Sequence, residues 1–215
     1  SQRDAFVEFV RMGQADTKTV DVVNGEILKG YGISPTPSSI GGDSGKTIAL
    51  KDGLIAMLVD GAYVIADFRE QMEGYYEWGV APLPQYKEYD SAGNITVHGI
   101  EAGHSEANGL VLNAKSNVPQ ASWIVMEYFA GERGQIIQAE NGVCVPLQKS
   151  VANSNAFLRT DINPKNIDIF LKMAEIQTPG DWWYLYDNEW IDDWSGRLNG
   201  DVRNARMTLS EFENC

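Results

Sequence analysis

The stretch "TPGDWWYLYDNEWIDDW", residues 178–194, limits what this chain can become more than any other. It holds four of the six tryptophans: Trp182, Trp183, Trp190 and Trp194. So much indole in one helix-length segment must be buried as core or turned toward something flat and apolar. Spacings of three, four and four residues set Trp183, Tyr186, Trp190 and Trp194 in one stripe. That stripe predicts a helix from about Asp181, its N-cap, with Trp190 and Trp194 in the core. Trp182 lies about 100° from Trp183 at the helix mouth, beside a Pro-Gly loop, where a ring can meet a ligand.

The rest of the chain mixes short strand-like runs with longer amphipathic ones, an α/β pattern. Ala5, Phe6, Phe9 and Val10 fall at helical spacing in "SQRDAFVEFV". These residues are unlike a signal peptide, and with neither an initiator Met nor a cap ahead of them an N-terminal portion is expected to lie outside this chain. "GYGISPTPSSIGGDSGKT" reads as a long loop. A short helix, a strand over residues 55–59 and a turn at Gly61 follow, leading into a helix near Ala62 with Tyr63 in its first turn. "WGVAPLP" is a strand broken by Pro82 and Pro84, so an edge or a crossover. "NITVHGI" and "NGLVLNAKS" are further strand candidates. Asn117 is expected to cap a helix facing inward through Ala121, Ile124, Val125, Tyr128 and Phe129, ahead of a shorter one in "GERGQIIQAENG". Pro164 opens another helix, with Ile167, Phe170, Leu171 and Ala174 inward. "TLSEFE" carries a capping box, Thr208 with Glu211.

Several function classes lose support at once. The formal charge of −13 disfavours nucleic acid, whose phosphates need a basic surface. No run of about 18 apolar residues is present. "GDSGKT" ends like a phosphate-binding loop, but that motif needs glycine where Ile40 stands. His98 and His104 are the only histidines, with no GxSxG beside them. His98, Glu101 and His104 match no zinc spacing, and Gly99 and Gly103 suggest a flexible loop. Cys144 and Cys215 form neither a CxxC nor a metal pattern. Asp187 with Glu189, and Asp192 with Asp193, are carboxylate pairs, yet neighbours on a helix point about 100° apart, which suits a solvated face better than a glycosidase. Sugar binding stays open, because aromatic faces stack on pyranose rings while carboxylates and amides bind hydroxyls.

In this order and spacing, "GLIAMLVDGAYVIADF", "WGVAPLP", "GLVLNAKSNVPQASWIVMEYFAGERGQ" and "NGVCVPLQKSV" resemble the C-terminal half of a family 1 extracellular solute-binding protein, the maltose-binding type that serves ABC importers. The likeness covers about residues 50–155, and the Trp-rich helix and capped terminal helix extend it. It implies an α/β fold of the type II periplasmic-binding-protein kind, two lobes closing on a sugar or oligosaccharide, with most of the N-terminal lobe outside this chain. On that reading residues 1–78 belong to the C-terminal lobe. Residues 79–145 form the crossover and a segment of the other lobe, and 146–215 return. The family's stacking aromatic after the glycine of "DGAY" falls on Tyr63, where many members have Trp. The one at the late helix falls on Trp182 or Trp183, next to Asp181. The glycine-containing loop would line the cleft through His104, Glu106 or Asn108.

The resemblance implies no catalysis and no cofactor. It implies a carbohydrate or other small solute and ABC permease subunits as partners, with no nucleic acid. It further implies a place in the cell envelope, periplasmic or held by a lipid anchor on an N-terminus outside this chain. A glycoside hydrolase fragment and a stand-alone carbohydrate-recognition module are the alternatives. If most of one lobe lies outside this chain, residues 109–130 should present uncovered apolar surface and associate with another chain.

Overall fold

The computed structural model describes residues 2–15, 18–35, 37–42, 45–105, 109–179 and 189–214. They form two compact units, Ser1–Ala49 with Asp181–Cys215, and Leu50–Gly180. The first begins with helix α1 (Gln2–Met12), whose Val7 and Val10 are buried while Phe9 stays 44% exposed. An Asn-Gly turn then folds strands β1 (Thr19–Val23) and β2 (Glu26–Lys29) into an antiparallel hairpin. Asn24 and Gly25 have φ of 52° and 85°, the left-handed pair that a tight hairpin turn needs.

Helix α2 (Lys46–Lys51) crosses from the first unit's segment into the second. The apolar run at 55–59 is not a strand: Met57 and Val59 stand in water without a partner strand. A 3₁₀ turn over Ala62–Val64 leads into α3 (Ile65–Met72), so the helix expected near Ala62 is present, with Tyr63 in its entry turn. Val64, Phe68 and Met72 form a small core, closed by Trp78, whose ring meets Phe68 edge-on at 5.5 Å.

"WGVAPLP" forms no strand either. Its prolines deny it ladder donors, and a side chain takes the place of a neighbouring strand. Asn166 donates from Nδ2 to Val80 O (2.7 Å) and accepts from Val80 N (3.1 Å). Strands β3 (Lys87–Tyr89) and β4 (Ile95–His98) then pair antiparallel as an exposed hairpin, β4 falling within the expected "NITVHGI". Strand β5 (Gly103–Ser105) follows, and "GLVLN" beyond it stays irregular and exposed.

Helix α4 (Pro119–Ala130) starts one residue later than an Asn117 cap would give, because Pro119 at the first helical position makes Val118 the cap residue. Its expected inner face is not inward: Ile124, Val125, Tyr128 and Phe129 are all about half exposed, and the helix buries nothing. The second core lies beyond it. It joins Ile65 to residues of α5 (Glu132–Glu140), α6 (Lys149–Ala152) and α7 (Asn155–Leu158), with Phe157 and Ile167 each 1% exposed. Pro164 does not open the next helix. It follows a cis bond, and α8 (Asp168–Glu175) begins four residues on, with Phe170 and Leu171 against the core and Ala174 exposed. Strand β6 (Gln177–Pro179) pairs parallel with β5.

The chain returns to the first unit in α9 (Glu189–Arg197) and, after a π-helical turn, α10 (Leu209–Glu213). The capping box is present: Glu211 N–H donates to Thr208 Oγ1, and Thr208 N–H to Glu211 Oε2. The hydrogen bonds from Thr208 hold the Glu211 carboxyl below the usual range. The tryptophan stripe corrects the expectation of a buried pair. Trp190, Trp194, Leu198 and Val202 recur every four residues, and their exposure falls from 52% through 42% and 4% to 1%. The core of Val7, Val10, Val20, Leu209 and Phe212 covers the C-terminal end of the stripe only. Trp194 reaches it by stacking on Phe6 at 5.6 Å, and Trp190, one turn earlier, has no such cover.

All three sheets among the described residues are two-stranded, and no described helix is long and apolar enough to cross a membrane. The distribution of burial predicts that Leu209→Ala, at a fully buried position, costs about 2–5 kcal/mol in urea unfolding. Trp190→Ala should cost under about 1 kcal/mol, as expected of a substitution away from the core.

Candidate functional site

Of the seven residues singled out in the sequence, Tyr63 and His104 lie among the described residues. Glu106, Asn108, Asp181, Trp182 and Trp183 lie outside them. Tyr63 is 57% exposed, although Val64 and Ile65 immediately after it are buried. The backbone beneath the ring is therefore anchored while the ring reaches solvent. Just before it, the Asp60 carboxylate accepts a hydrogen bond from Gly61 N–H at 2.7 Å.

His104 is exposed on β5, and its Cα faces that of Thr178 across the parallel pair. Ser105 likewise faces Pro179, so both strands end level. The stretches that follow them in sequence, 106–108 and 180–183, contain five of the seven candidates. The β5–β6 pairing thus brings together two strand ends from parts of the chain more than 70 residues apart.

What permits the pairing is Gly103. It is buried, its N–H donates to Ile176 O at 3.2 Å, and a Cβ there would run into Met173 O at the end of α8 and come within 3.3 Å of Gln177 Cα. The sequence suggested flexibility at this glycine, whereas the structure uses it for close backbone approach.

The two histidines fall in different sheets, and Asp187 of the first carboxylate pair lies outside the described residues. His98 lies in the β3–β4 hairpin and His104 in the β5–β6 pair, and among the described residues no three His, Cys, Asp or Glu side chains converge as metal ligands. Asp192 and Asp193 are exposed on α9, with Asp193 paired to Arg197 at 3.2 Å.

A cavity of about 300 Å³ lies elsewhere in the second unit, lined by Arg69, Trp78, Asp161, Asn163 and Lys165 among others. Neither Tyr63 nor His104 lines it. Its charges are largely compensated: Lys165 pairs with Glu77 at 3.0 Å, and Arg159 grips Asp161 through Nε and Nη2. The hydrogen bond from Arg159 holds the Asp161 carboxyl below its ordinary range. Glu73 has no ion pair among the described residues, and Arg69 is only partly satisfied. Its Nε donates to Asn163 O at 3.0 Å, but Nη1 and Nη2 are buried without a hydrogen-bond partner. Burial, then the nearby Arg159, pulls its pKa down. Nη1 lies against the Gly142 turn, where an added Cβ would stand 3.1 Å away. Those sealed nitrogens do not offer a free fork to a solute, so we assign the cavity to structure. The signal for Arg69 was present in the sequence, since an arginine four residues after Ile65 sits on the apolar stripe of Ile65, Phe68 and Met72.

No protein-family model, curated protein or solved structure matches this chain.

If Gly103 sets the strand pairing, Gly103→Ala should lower stability by about 1–3 kcal/mol, the usual cost of overpacking. Urea unfolding measures that loss. Amide exchange at 104 and 178 should accelerate together in the same variant.

Proposed function

We propose that this chain is part of a carbohydrate-binding solute receptor of an ABC importer, working without catalysis in the cell envelope. In this reading a sugar or oligosaccharide sits in a cleft between two α/β lobes. Tyr63 and one of Trp182 and Trp183 stack on its rings. Asp181 and the stretch of His104, Glu106 and Asn108 supply polar contacts, and permease subunits accept the closed complex. The observation that carries the proposal is the parallel β5–β6 pair, whose ends adjoin two of the three candidate stretches. Ligands of α/β folds collect at the carboxyl ends of parallel strands.

A second observation supports a partner lobe. Between residues 79 and 130 the described residues bury only Gly103, although α4 is apolar at all but Gln120, Ser122 and Glu127. A helix of that kind is normally buried. A segment belonging to a second lobe, most of which lies outside this chain, accounts for both facts.

Each aromatic stack should contribute about 1–2 kcal/mol, so Tyr63→Ala should weaken sugar binding roughly 5–30-fold, as should Ala at one of Trp182 and Trp183. Calorimetric titration with maltotriose, cellotriose and xylotriose, alongside an assay for released reducing sugar, provides the test. The proposal fails if none of the probes binds, if one is hydrolysed, or if Tyr63→Ala leaves affinity unchanged.

A further inference from the structure

Gly61 has φ −88° and ψ 167°, extended backbone open to any L-residue. No dihedral requirement therefore calls for glycine, and its hydrogen bond to Asp60 uses only the main-chain N–H. The obstacle to a side chain is Tyr63. A Cβ at residue 61 would stand 2.6 Å from the tyrosine Cε1 and 2.7 Å from Cδ1. Carbon atoms in contact sit about 3.5–4.0 Å apart, so the ring rests where only a glycine leaves room. The same ring remains 57% exposed. It is thus packed close to the Gly61 main chain while more than half of the residue stays exposed.

We propose that Gly61 is a positioning residue for a ring-stacking subsite at Tyr63, its missing Cβ fixing the tyrosine in the orientation that receives the apolar face of a pyranose. The inference rests on the carbohydrate reading above. Any residue with a Cβ displaces the ring, and an exposed ring can swing away without disturbing the buried Val64 and Ile65 that anchor the turn. Binding should therefore suffer where stability does not.

A double-mutant cycle separates action through Tyr63 from action on the turn itself. Gly61→Ala, Tyr63→Ala and the double variant are titrated with whichever of maltotriose, cellotriose and xylotriose the parent chain binds. Their urea midpoints are recorded in parallel. Ring position is read independently from nuclear Overhauser contacts between Gly61 Hα and the Tyr63 Hδ and Hε protons. Gly61→Ala is expected to weaken binding roughly 5–30-fold, as removing the tyrosine does, and to leave the urea midpoint unmoved. In the Tyr63→Ala background it should have no further effect. Equal weakening in both backgrounds overturns the proposal, and so does absence of the Gly61–Tyr63 contacts in the parent chain. A parent chain that binds none of the probes sinks the carbohydrate reading and the pyranose assignment with it. The ring contacts still decide whether Gly61 holds Tyr63 in place.

Discussion

The close approach of β5 to the last turn of α8 is the constraint on which the β5–β6 pairing depends. Parallel strands cannot be joined by a tight turn. Here the connection runs through α4 to α8, and its core joins Ile65 to Ala139, Val151, Phe157 and Ile167. A two-stranded pair of three residues each has little strength of its own. Its register is inherited from that helical core, since α8 leads directly into β6 and Gly103 provides the clearance that lets β5 lie beside it. That backbone approach lets β5 and β6 run side by side and end level, Ser105 opposite Pro179.

What could be read from the sequence divides along the range of the forces involved. The helix near Ala62, the capping box of Thr208 and Glu211, and β4 were legible, because they follow from local periodicity and local hydrogen bonding. The strand at 55–59 was misread because an apolar run becomes a strand only with a partner, and partnership is not local. "WGVAPLP" was read as an edge or crossover strand, whereas it forms none, and that Asn166 would supply hydrogen bonds at Val80 had no signature. Trp190 and Trp194 lie four residues apart on α9 as the stripe requires, while Trp183, Tyr186 and the helix start expected at Asp181 lie outside the described residues. The stripe's burial is graded because the covering elements, α1 and α10, come from distant parts of the sequence and reach only one end.

Tyr63 was legible as a residue of the helix's first turn, and only the family resemblance made it a site candidate; its exposure and the reason for Gly61 were not legible. A glycine before an aromatic suggests a sharp turn, yet the backbone there is extended and the glycine answers to the ring. Gly103 was likewise legible as a glycine and not as a close contact. In both cases the requirement comes from an atom that packs against the residue, not from its own dihedrals, and such requirements appear only once the chain is folded.

The central claim is that a solute is received at Tyr63 and at the ends of β5 and β6, and not in the cavity beside Arg69. Hydrogen exchange of the chain with and without saturating oligosaccharide tests it most directly, because exchange reports local opening along the whole backbone. The account predicts that residues 60–64, 103–109 and 177–184 slow together while 69–78 and 161–165 are unchanged. Slowing confined to 69–78 and 161–165, or no response at 60–64 and 103–109, would contradict it.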